Sequence, residues 1–114
     1  MNAVEATASL RTRERLRLLV KRAGSQRAAA RYLGVSVRSL GRLVTGETAV
    51  GQDMAARLEA VNYVLARAEQ VWAPQAIEGW LYGCNSVLDG VRPIDFVGSG
   101  RVQEIVQALE VARA

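Results

Sequence analysis

The sequence predicts an all-α protein: an N-terminal helical lobe over residues 1–50, a long central helix over 51–73, and a small C-terminal helical lobe over 74–114. Three observations point there. Half of the 114 residues are hydrophobic, yet only two Trp, three Tyr and one Phe are present, so the core is built from Leu, Val and Ala, a composition that suits helices better than sheets. Apolar residues recur at threes and fours in successive stretches, the period of an amphipathic helix. Between those stretches lie Gly, Ser and Pro, the residues that end one helix and start the next.

Met1 to Ser9 lacks clear periodicity and reads as a loose tail or short arm. From Leu10 the apolar residues Leu16, Leu19 and Val20 recur with arginines between them, and Gly24 suits the C-cap of this first helix. Ser25 opens a second helix, Gln26 to Leu33, whose Ala28, Ala29 and Ala30 let another helix come close. Gly34-Val35-Ser36 is a tight turn in which the glycine takes a left-handed conformation and Ser36 caps the next helix. That third helix, Val37 to Val44, places Leu40, Leu43 and Val44 inward and leaves Arg38, Ser39 and Arg42 outward. Within it Gly41 costs about 1 kcal/mol relative to alanine. Thr45-Gly46-Glu47 closes it.

The longest pattern begins near Gln52 and runs towards Trp72, with Met54, Leu58, Val61, Val64, Leu65, Ala68 and Val71 on one stripe. This is expected to be the central core helix that ties the lobes together. Asp53 and Glu59 early and Arg67 late suit its dipole. Pro74 starts another helix, to Tyr82, with Ile77, Trp80 and Leu81 on one face. Gly83 stops it, Asn85-Ser86 cap a short turn through Leu88, and Gly90 stops that turn. Pro93 opens a short helix ending at Gly98-Ser99-Gly100, and from Arg101 the residues Val102, Ile105, Val106, Leu109 and Val111 mark a final amphipathic helix.

Composition narrows the function classes. No histidine is present and Cys84 stands alone, so an internal disulfide is impossible and a zinc site would need carboxylates only. Neither a metal nor any other cofactor is expected, and Cys84 reads as a small, partly buried apolar residue without a redox role. No nucleophile has an evident base beside it, so the chain is not expected to be an enzyme. No apolar run approaches the roughly 18 residues of a membrane span and no leader pattern opens the chain, which makes a cytoplasmic protein the expectation. The charge is uneven. Residues 1–70 hold 12 basic against 6 acidic residues, a net +6, and residues 71–114 hold 3 against 5, a net −2. Between Arg11 and Arg42 ten basic residues face Glu14 alone, a stripe suited to a polyanion.

Ala29-Ala30, Leu33-Gly34-Val35-Ser36, Leu40 and Leu43, followed by Thr45-Gly46-Glu47, resemble the helix-turn-helix of the Xre and Cro class of repressors. The resemblance implies that Ser36, Val37, Arg38, Ser39 and Arg42 lie at or near the groove-facing surface of a recognition helix. Arg27, in the basic stripe, completes the DNA-binding candidates. Arg38 and Arg42 are i, i+4 neighbours, and the sequence leaves open whether they read guanine or grip phosphate.

Trp80-Leu81, Asn85, Leu88, Gly90, Pro93 and Asp95-Phe96, then a glycine turn and a helix with Val106 and Leu109, resemble the toxin-binding domain of the Xre/MbcA/ParS antitoxins. Ser86 departs from that pattern, standing where the family usually has proline. This resemblance implies a noncatalytic antitoxin of a type II pair. Such a protein binds a RES-domain, NAD-degrading toxin, blocks its active site and represses its own operon through operator DNA, as a homodimer or a higher complex with toxin. Trp80, Leu88, Gly90, Pro93 and Phe96 read mainly as scaffold. The toxin-binding candidates are the more exposed Arg92, Asp95, Arg101, Glu104, Gln107, Glu110 and Arg113. The alternative is a stand-alone Xre-type transcriptional regulator whose C-terminal lobe dimerises.

Overall fold

The structure, a computed structural model, describes residues 3–97 and 101–113, with side chains from residue 10 onward. The expected glycine turn at Gly98-Ser99-Gly100 lies outside the described residues, as does Ala114. The all-α expectation holds: among the described residues seven α-helices and one 3-10 turn account for the elements, and the sole sheet-like feature is an isolated bridge between Asn85 and Val91. The helices are α1 (Ala3–Ala23), α2 (Gln26–Leu33), α3 (Val37–Thr45), α4 (Gln52–Ala68), α5 (Pro74–Tyr82), α6 (Pro93–Val97) and α7 (Val102–Arg113), with the 3-10 turn at Ser86–Leu88 between α5 and α6. The chain forms two compact units, Met1–Glu59 and Ala60–Ala114, and the division falls inside α4.

In the first unit α1 packs on α2 and α3, and α2 packs on α3. Leu16, Leu19, Ala29, Leu33, Leu40 and Leu58 are almost wholly buried, each leucine contributing about 1.5–3 kcal/mol of apolar transfer. Ala29 and Ala30 are buried, so α2 presents only methyl groups at those positions in the core. Residues 3–9 correct one expectation: α1 starts at Ala3 rather than near Leu10. Ala3, Ala6 and Ala8 are the strongest helix formers, so propensity sustains a turn that has no amphipathic signature. Val44 also differs from its inward assignment and is half-buried, at the edge of the α3 interface.

The second unit packs α5 on α6, α6 on α7, and α7 on the 3-10 turn. Val61, Val64, Leu65, Ile77, Leu81, Leu88, Pro93, Phe96, Ile105 and Leu109 form its core. The central helix is shorter than its apolar pattern. It ends at Ala68, where the amides of Val71 and Trp72 both donate to the Ala68 carbonyl, 3.0 Å in each case, closing the chain into a turn. Val71 is thereby turned out to solvent, and Trp72 packs against Trp80 with ring centroids 5.8 Å apart. Val111 likewise leaves the expected stripe of α7 and is exposed, while Ala108 is buried. Cys84 is exposed rather than partly buried. Gly83, extended at φ −85° and ψ 149°, breaks α5 and swings the next residue outward. The stop before Pro93 begins one residue early, since Asp89 already adopts a left-handed φ of 57°.

Candidate nucleic-acid interface

The turn before α3 is closed by two backbone hydrogen bonds. The Gly34 amide donates to Arg31 at 3.1 Å and the Val35 amide to Ala30 at 3.0 Å, the paired bonds of a Schellman termination, with Gly34 left-handed at φ 73°. Ser36 then caps α3. Its Oγ accepts from the Ser39 amide at 3.0 Å, and its hydroxyl donates to the Ser39 Oγ at 3.0 Å. Ser36 and Ser39 are both exposed and engaged with each other, the Ser36 oxygen satisfying one of the free amides of the first turn of α3.

Leu40 and Leu43 hold the opposite face of α3 in the core, with relative exposures of 0% and 7%. By helical periodicity Val37, Gly41 and Thr45 form one outward row, and Arg38 and Arg42 the adjacent one. Val37, Arg38, Arg42 and Thr45 are exposed. Arg38 and Arg42 have no acidic partner among the described residues, so neither charge is compensated by them. Arg27, second residue of α2, is exposed in the same condition. All six DNA-binding candidates therefore fall on α2, α3 and the turn between them, inside the first unit.

Two further guanidinium groups lie at the ends of α3. A Cβ placed on Gly34 would stand 3.5 Å from Arg57 Nη2, and one placed on Gly46 would stand 3.1 Å from Arg13 Nη1. Arg57 Nε is buried without a hydrogen-bond partner. The Gly46 cap leaves room for Arg13, and Arg57 lies beside Gly34 at an ordinary contact distance, so the positive field around α3 comes also from α1 and α4. Arg13 is one of ten basic residues in the N-terminal run and nothing local separates it from the others. Arg57 sits on a helix whose sequence reads only as core.

In the second unit the seven remaining candidates are held in local ion pairs, apart from Gln107. Arg92 forms a two-pronged contact with Asp95, at 2.9 and 3.0 Å, and lies 5.8 Å from the centre of the Tyr82 ring. The Asp95 carboxylate, by hydrogen bond and charge, raises Arg92 above its ordinary pKa. Arg101 pairs with Glu104 at 2.6 Å and covers the Phe96 ring at 4.3 Å. Glu110 is shared by Arg67 at 2.8 Å and Arg113 at 3.5 Å. Arg101, Glu104, Gln107, Glu110 and Arg113 do not share one outer face. A step of three residues falls short of a helical turn, so the series winds around α7, with Glu104 and Glu110 half-buried and Arg101, Gln107 and Arg113 exposed. The exposed row of α7 is Gln103, Gln107 and Val111, of which the sequence reading picked out only the middle residue.

A family model described as helix-turn-helix matches residues 14–61. The matched stretch spans the second half of α1, then α2, α3 and the first part of α4, and it supports a DNA-binding regulator of Xre type. None of the curated proteins matches the chain. None of the solved structures matches it. No helix among the described residues is long and apolar enough to cross a membrane.

Proposed function

We propose that the chain is the antitoxin of a type II toxin–antitoxin pair, a noncatalytic protein that binds operator DNA through its first unit and a RES-domain, NAD-degrading toxin through its second. The observation that carries the DNA-binding half is the exposed face of α3, where Arg38 and Arg42 stand beside Val37 and Thr45 with no acidic side chain among the described residues to neutralise them. A duplex supplies the missing anions, and a helix of nine residues is long enough to present both arginines to one stretch of major groove.

The toxin-binding half is supported by the ordered residues from Trp80 to Phe96 and their resemblance to antitoxin domains. Leu88, Pro93 and Phe96 are buried, which suits a scaffold role and leaves contact to the exposed Arg92, Asp95, Gln107 and their neighbours. The surface ion pairs there are worth only about 0–1 kcal/mol each, so the same side chains can exchange internal partners for those of a bound protein at small cost.

The test has two arms. Co-expression with a RES-domain toxin is expected to restore growth and yield a co-purifying complex. Mobility-shift titration with the DNA upstream of the chain's own reading frame is expected to show salt-dependent binding. Failure of the purified pair to associate would end the antitoxin reading. DNA binding without association would leave the stand-alone regulator with a dimerising second unit.

A further inference from the structure

Gly41 is the middle residue of α3, and nothing within the fold requires a glycine there. Its φ is not among the left-handed ones, so any L-residue fits its backbone conformation. A Cβ built on it meets no heavy atom within 4 Å, so no neighbour packs against the bare backbone. Glycine is also the poorest helix former after proline. In the first unit the contrast is with Gly34 and Gly46, which have positive φ and guanidinium groups against them. Gly41 therefore weakens its helix without a structural return. Its surroundings are the exposed side chains of Val37 and Thr45 along one row and of Arg38 and Arg42 along the next.

We propose that Gly41 is a positioning residue of the DNA interface: the gap halfway along α3, on the half-exposed flank beside Arg38 and Arg42, lets the helix backbone come into contact with the edge of the major groove, which sets how far Arg38 and Arg42 reach. This rests on the DNA-binding reading above. An added methyl group would hold the helix off the groove floor. Long arginine side chains still reach phosphates across that extra distance, whereas hydrogen bonds to base edges are lost within a few tenths of an ångström.

The experiment compares the full chain with Gly41→Ala and Gly79→Ala. Gly79 is a helical glycine of α5 that likewise has open space where a Cβ would stand, and it lies in the second unit. The probes are a duplex enriched by the parent protein from a randomised pool, and a mixed-sequence duplex. Both alanine variants are expected to melt at a higher temperature than the parent. Gly41→Ala is expected to bind the enriched duplex about tenfold more weakly, the scale of one lost base contact, with less than about a twofold change on the mixed-sequence duplex. Gly79→Ala is expected to bind both as the parent does. Equal or tighter binding of the enriched duplex by Gly41→Ala overturns the proposal, and so does a lower melting temperature, which would mean that the glycine serves internal packing. If the parent binds neither duplex, the DNA-binding reading itself fails, an outcome distinct from both.

Discussion

Removing Arg38 and Arg42 together should change the salt dependence of DNA binding by a calculable amount. Both side chains are exposed and neither is neutralised by an acidic neighbour among the described residues, so each is free to displace a counterion from a phosphate. Each phosphate contact steepens the plot of log affinity against log salt by about 0.9. Across a fourfold rise in salt, one contact therefore accounts for about a 3.5-fold loss of affinity and two for roughly 12-fold. The Arg38→Ala/Arg42→Ala variant should show a slope shallower by about 1.8 than the parent on a mixed-sequence duplex, read by fluorescence anisotropy at several salt concentrations. Melting temperature should hardly move, because no internal contact is lost. An unchanged slope would refute the assignment of the α3 face to DNA. A slope shallower by only about 0.9 would show that one of the two arginines faces a base edge or solvent.

Other expectations follow from single contacts. Leu40→Ala, at a site with no exposure, should cost about 2–5 kcal/mol by thermal or urea unfolding. Gly34→Ala should cost about 1–2 kcal/mol from left-handed backbone strain alone, since its new Cβ would meet Arg57 only at an ordinary contact distance. Ser36→Ala removes the oxygen that accepts from the Ser39 amide and should destabilise the first unit by about 1 kcal/mol, measurable as earlier urea unfolding. Glu110→Gln, at a solvent-screened pair, should shift stability by less than about 1 kcal/mol, and the shift should vanish in high salt.

The helices with strong local punctuation were legible in the sequence. α2 between Ser25 and Gly34, and α5 between Pro74 and Gly83, have the bounds that their capping residues indicate. Where a boundary depends on hydrogen-bond geometry instead, the pattern misleads. The apolar stripe of α4 continues to Val71, yet the chain turns at Ala68 because the following amides converge on one carbonyl. Start of α1 was hidden for the opposite reason: its alanines favour a helix without marking a face. At the candidate interface, the serines and arginines of α3 followed from local spacing. Arg13 and Arg57 reach its ends by lying against Gly46 and Gly34 respectively, from positions 33 and 23 residues away in sequence, a relation no local pattern encodes.

Trp72 and Trp80, which pack against each other, are the only two tryptophans of the chain, and both belong to the second unit. The fold thus carries its own optical label on one half. Tryptophan emission follows the environment of the 60–114 unit, while far-ultraviolet circular dichroism follows every helix. Coincident denaturation curves from the two signals would mean that the chain melts in one cooperative step, and separated curves would mean two. A destabilising change such as Leu40→Ala then serves as a switch: it moves the emission curve only if the loss is felt beyond the unit in which it was made.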